Sequence, residues 1–175
     1  MLQSIQINTK ALETMLFIWA SIKDREKVSE AFLDELAQSQ EMTSSYDDEF
    51  NAASVRKVLS AISNRERLNG PTKKESRFWN YNMWMLEDPQ MTQMMLTPIK
   101  TLNMDDLKNS LGSAFPYENV EVIFYPGQFE VACIKGSQLF INFFTVKADL
   151  FEEGKVTIDG TPLKEFVAQK IQEMK

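Results

Sequence analysis

The chain has 175 residues, 43% of them hydrophobic and 25% charged, which suits a soluble globular protein whose core needs no disulfide or metal to staple it. Its only cysteine, Cys133, excludes an internal disulfide and favours a reducing compartment. With no histidine, a net charge of −6 and a pI near 4.8, the composition also excludes His-based triads and His-ligated zinc, and disfavours general attraction to nucleic acid.

In chain order, Leu12, Met15, Leu16, Trp19 and Ile22 recur at helical spacing. The apolar run inside this helix, "MLFIWASI" at 15–22, is far shorter than the roughly 20 residues that span a bilayer. "KDREK" follows it without a small-residue cleavage site, so neither a membrane span nor a signal peptide is expected. The protein is read as cytoplasmic. Val28, Phe32, Leu33 and Leu36 continue the stripe in a shifted phase, which predicts a bend near 23–25. After the polar "AQSQEMTSS", Ser44 and Asp47 form a candidate capping box. The helix it would open carries Tyr46, Phe50, Ala53, Val55, Val58, Leu59 and Ile62 on one face, and "LNGP" at 68–71 ends it.

Thr72 and Glu75 form a second capping box for a helix over 73–87, and Asp88-Pro89 restarts the chain as N-cap and first helical residue. That short helix is expected to end before Thr97-Pro98. Another, over about 104–111, has Asn103 as its cap and Gly112 as its stop. Beyond Pro116 the hydrophobic period changes to two. "NVEVIFY", "QFEVACI" and "QLFINFFTV", separated by "PG" and "KGS", read as strands joined by hairpins, and "KVTIDG" adds a fourth. "TPLKEFVAQKIQEMK" is an amphipathic helix with Thr161 as cap and Pro162 first.

The predicted fold is α+β: an N-terminal helical half, then an antiparallel β-meander of about four strands, then a C-terminal helix packed on the sheet. It is read as one domain over 1–175, with a helical part at 1–112 and the sheet plus last helix at 113–175. No internal repeat is evident.

Motif chemistry is sparse. Phosphate-cradling loops of the GxGxxG or GxxxxGK[ST] kind are absent, as is GxSxG. "YDDEF" and "FEEG" lack calcium-loop spacing. Cys133 lies in an alternating strand, where a small apolar residue is expected. No catalytic residue, metal ligand or cofactor is therefore assigned, and the chain is read as a non-enzymatic protein.

Charge is segregated: 24–49 holds nine acids against two bases, and 54–77 holds seven bases against two acids. The simple expectation is that neighbouring helices pair these runs; the sharper one is an anion-binding face built from Lys73, Lys74 and Arg77. The stretch "FWNYNMWMLEDPQMTQMML" at 78–96 is the richest in bulky apolar side chains. Its first helix is apolar nearly all round, which predicts burial on several sides. The candidates for partner contact or pocket lining are Trp79, Tyr81, Trp84, Met91, Met94 and Met95.

These features point to a small acidic binding protein, an adaptor or inhibitor, that meets a protein partner or a second copy of itself through an acidic helical face and the Trp/Met-rich region. The alternative is a small-molecule-binding protein with an aromatic and Met-lined pocket, using Asn80 and Asn82 as polar handles. A helix–turn–helix nucleic-acid binder, with "NGPT" as the turn, is the third reading, disfavoured by the acidic charge. No membrane partner is expected.

Overall fold

The computed structural model describes residues 1–128 and 130–174. The chain forms two compact units. A sheet unit comprises Met1–Thr9, Gln90–Phe124 and Val131–Lys175; a helical unit comprises Lys10–Pro89 and Tyr125–Glu130.

The sheet unit begins with β1 (Ser4–Asn8), where the sequence reading expected only helix. Ile5 and Ile7 alternate with polar residues at period two, a pattern too short to stand out beside the following helix. β1 pairs in parallel with β2 (Asn119–Tyr125), from Ser4 opposite Asn119 to Asn8 opposite Ile123. Parallel neighbours require a long crossover, and here it includes most of the helical unit. β3 (Ala132–Lys135) and β4 (Gln138–Asn142) form an antiparallel hairpin, and the sheet order is β1-β2-β4-β3. Glu121 pins this order: its carboxylate accepts from Asn8 Nδ2 at 3.0 Å on one side and from Gln138 Nε2 at 2.9 Å on the other.

The expected antiparallel meander is therefore corrected twice: the first sheet is mixed, and the remaining strands form a second sheet. Phe143–Thr145 make a 3-10 turn that breaks "QLFINFFTV" before β5 (Val146–Ala148). Asn142 holds that break, its Oδ1 accepting from Phe144 N at 3.1 Å. β5 then pairs antiparallel with β6 (Val156–Ile158), which pairs with β7 (Thr161–Pro162). Thr161 and Pro162, expected as cap and first helical residue, are thus strand residues. The expected strand over 128–134 is realised from Ala132, and Phe129 lies outside the described residues.

In the helical unit, α1 (Lys10–Lys23) and α2 (Glu30–Gln38) are separate helices, so the bend expected near 23–25 is a full break. α3 (Gln40–Thr43) is a single turn. α4 (Ala52–Ser63) opens on a capping box formed by Asn51 and Ser54. That displaces the box expected from Ser44 and Asp47. Asp47 instead accepts from Glu49 N and Phe50 N, each at 2.8 Å, in a turn ahead of the helix. α5 (Lys73–Glu87) begins with the Thr72–Glu75 box as read from sequence.

α6 (Pro89–Lys100) starts at the predicted Pro89 but runs through Pro98. Pro98 lacks only one donor near the helix end, and burial of Met95, Leu96 and Ile99 keeps the turn wound. α7 (Asp105–Ser110) and α8 (Leu163–Gln172) complete the sheet unit, with α8 packing on β6 and β7. Among the described residues no helix is long and apolar enough to cross a membrane.

The core of the helical unit is built by helices presenting one face. Met15, Ile18, Trp19 and Ile22 of α1 are buried, as are Val55, Val58, Leu59 and Ile62 of α4. α5 packs against both helices. Phe78 is fully buried and meets Phe50 edge-on, ring centroids 5.2 Å apart.

Candidate functional site

α5 turns Phe78, Asn82, Met85 and Leu86 inward and leaves Asn80, Trp84 and Glu87 exposed. The helix expected to be buried on several sides is therefore amphipathic in place, with an indole on its wet face. Trp84 is 70% exposed. Trp79 and Met83 flank it and are half-buried.

Two open clefts lie along this flank. The larger, about 530 Å³, has an apolar floor of Ile22, Ile62, Trp79, Met83 and Leu86. Its rim carries Lys23, Arg25 and Arg65, with Glu66 and Glu87 as the acids. The second, about 450 Å³, lies beside Trp79, Tyr81 and Trp84 and shares Trp79, Met83 and Glu87 with the first.

Asn82, expected as a polar handle, is not available to a ligand. Its Oδ1 accepts from the Trp19 indole N–H at 2.9 Å and its Nδ2 donates to the Phe78 carbonyl at 2.8 Å. Both residues are buried, so the pair serves the contact of α1 with α5.

Two rim residues were missed by the sequence reading. Arg25 and Arg65 hold φ of 60° and 57°, the left-handed conformation that favours glycine. Each closes a helix in the same way. Arg25 N donates to Ile22 O at 3.1 Å and Glu26 N to Ser21 O at 2.7 Å. Arg65 N donates to Ile62 O at 3.2 Å and Glu66 N to Ala61 O at 2.8 Å. These are paired Schellman caps with arginine where glycine is the usual occupant. The signal was present in the sequence: "IKDRE" at 22–26 and "ISNRE" at 62–66 share their Ile, Arg and Glu, with buried residues at matching places in α1 and α4. The two helix ends thus share a short local pattern and the same cap geometry. Among the described residues neither guanidinium is in a salt bridge.

The early close of α4 at Ser63 leaves residues 64–72 between α4 and α5 in place of a four-residue turn. That separation is longer than the turn of a helix–turn–helix. Of the anion-binding candidates, Lys73 is exposed and Arg77 half-buried. Lys74 contacts Asp47 at 2.5 Å and Glu49 at 3.9 Å. Its hydrogen bond holds the Asp47 carboxyl below the usual range. Arg56 bridges Glu30 and Asp34, so the basic and acidic runs do pair within this unit. Glu75 is buried; burial opposes its charge, but the Thr72 N–H and Lys57 outweigh that and hold it below the usual range.

Among the partner-contact candidates, Trp79, Tyr81 and Trp84 come together along the second cleft. Met91, Met94 and Met95 lie on α6 in the sheet unit, where Met95 is buried and the other two are half-buried. Among the described residues no cluster of His, Cys, Asp or Glu has a metal-binding arrangement. Chemically, the larger cleft offers an apolar floor with two guanidinium groups, one ammonium group and two carboxylates at its edge. No protein-family model, curated protein sequence or solved structure matches the chain.

Proposed function

We propose that the protein is a non-enzymatic binding protein that engages another polypeptide through the outer flank of α5. The observation that carries this reading is Trp84, 70% exposed beside the half-buried Trp79 and Met83, where it lines the second cleft while Trp79 and Met83 line both. Tryptophan dominates binding energy at protein interfaces because it buries a large rigid area at little entropic cost. The electrostatic part of the reading moves from the acidic run to the cleft rim. Glu30, Asp34, Asp47 and Glu49 meet internal bases, whereas Arg25 and Arg65 stand at the groove.

A second reading, a small apolar anion held in the larger cleft, is favoured by its volume of about 530 Å³, within the usual range for ligand pockets. The openness of the cleft and the engagement of Asn82 favour a polypeptide.

The test is a photoreactive phenylalanine analogue in place of Trp84, expressed in the source cells. A discrete protein adduct that Met83→Glu abolishes, and that the exposed control position Gln38 does not give, supports the proposal. No adduct at 84, or the same adducts at 38, contradicts it.

A further inference from the structure

We infer that the larger cleft receives the Leu150–Glu153 loop of a second copy of this chain, giving head-to-tail self-association. The inference rests on the binding reading above and names the partner.

The cleft has an apolar floor, and its rim sets Lys23, Arg25 and Arg65 against Glu66 and Glu87, a net charge of +1 that favours a bulky apolar side chain carried with acids. Large apolar residues exposed in the chain include Phe17, Leu150 and Phe151. The last two lie in "DLFEEG", bracketed by Asp149, Glu152 and Glu153. Leu150 is 70% exposed and Phe151 97%. Two adjacent apolar side chains held in water on a connecting loop contribute nothing to a core and are free to enter another surface.

The loop is built to present them. Asp149 N donates to Lys155 O at 2.9 Å, closing the connection between β5 and β6. Asp149 Oδ1 accepts from Phe151 N at 2.8 Å and Glu152 N at 3.2 Å, an Asx turn that fixes the backbone at Phe151 itself. Gly154, at φ 82°, completes the return, and Lys155 pairs with Glu152. A loop ordered before docking loses little freedom on binding. Glu153 has no ion-pair partner among the described residues.

Knob and groove then match in two respects. Phe151 and Leu150 meet the floor of Trp79, Met83 and Leu86, and Glu153 meets the Arg25 and Arg65 part of the rim, away from Glu66 and Glu87. The two surfaces differ, so the contact is heterologous, and copies join in series or close into a ring. A loop tip in a groove buries less than the roughly 1,000 Å² of a stable interface, so association falls between about 10 μM and about 1 mM.

The experiment is sedimentation equilibrium of the full chain across that range. It uses wild type, Phe151→Asp, the double variant Arg25→Gly/Arg65→Gly, and an equimolar mixture of the two variants. Glycine is at home at both arginine positions, so the double variant keeps its fold, which circular dichroism verifies. Wild-type mass is expected to rise with concentration from 20.2 kDa. Each variant alone should associate about tenfold or more weakly. The mixture should give a species of twice the monomer mass and nothing larger, because each mixed pair keeps one intact loop and one intact groove. Wild type that stays monomeric to about 1 mM, Phe151→Asp that associates like wild type, or a mixture that stays monomeric overturns the inference. Monomeric wild type together with an adduct at position 84 to a different protein removes the second copy and leaves the binding reading in place; monomeric wild type with no adduct removes both.

Discussion

The Trp19 indole N–H donates to Asn82 Oδ1 across 2.9 Å, between the buried faces of α1 and α5. Asn82 in turn donates to the Phe78 carbonyl one turn earlier in its own helix, which fixes the orientation of its amide. This bond sets how α5 sits against α1, and so which residues of α5 face water. Asn82→Leu takes away the acceptor of a buried indole, and stability is expected to fall by about 2 kcal/mol. Trp19→Phe/Asn82→Leu should lose less than the sum of the single variants, since both partners of one bond are removed together. Urea unfolding of the four proteins measures both effects; strictly additive losses would show that the bond does not couple the helices.

Arg25 and Arg65 hold a conformation that costs a non-glycine residue about 1 kcal/mol, partly offset by about 0.5 kcal/mol from a cation at a helix C-terminus. Arg25→Gly and Arg65→Gly are each expected to stabilise the fold by about 0.5 kcal/mol. Such a gain, measured by urea unfolding, would mean the arginines are kept at the expense of stability for what their side chains meet at the cleft. A loss of stability would mean that the side chains hold the fold.

The legible parts of the molecule were those whose signal is local. Thr72 and Glu75 announced the start of α5, and Asp88-Pro89 the corner after it, because caps act over three or four residues. The period-two runs from Asn119 onward announced strands. What failed depends on distant partners. β1 was missed because Ile5 and Ile7 become a strand only by pairing with Val120 and Val122, more than a hundred residues away. Ser44 and Asp47 were preferred as a cap although Asn51 and Ser54 lay closer to the buried face of α4. Helical spacing turns Trp84 away from the Phe78 and Trp79 stripes, but its exposure was hidden, since sequence does not show which flank of α5 its neighbours cover. The paired "RE" caps were readable as a shared local pattern, yet the left-handed arginines that make them notable appear only in the backbone.

Acid should loosen the helical unit through Glu75. Its folded pKa lies below the ordinary 4.5, so its contribution is complete above that value and drains away as pH falls from there through the folded pKa. Asp47, lowered by Lys74, acts in the same direction. Glu75→Gln is expected to lose about 1–2 kcal/mol at pH 7 and to show a shallower decline on acidification, because position 75 no longer titrates. Thermal unfolding between about pH 7 and about pH 3 reads the two slopes. Parallel slopes for wild type and variant would remove Glu75 from the account.

Trp84→Ala separates binding from folding. At an exposed position the change in stability should stay within about 0.5 kcal/mol. Loss of partner affinity should be about thirtyfold, corresponding to an anchor tryptophan of about 2 kcal/mol. Isothermal titration and urea unfolding of the same preparation check the pair. Unchanged affinity would place the interface elsewhere.

The three tryptophans offer the most direct measurement, since Trp19 is buried, Trp79 lines the clefts and Trp84 is exposed. Fluorine NMR of protein labelled with 5-fluorotryptophan, compared in buffer and in extract of the source cells, reports on each indole separately. If α5 is the binding surface, the Trp79 and Trp84 signals shift or broaden in extract while the Trp19 signal holds its position. Three unmoved signals, or movement of Trp19 alone, would contradict the claim that the protein binds through this helix.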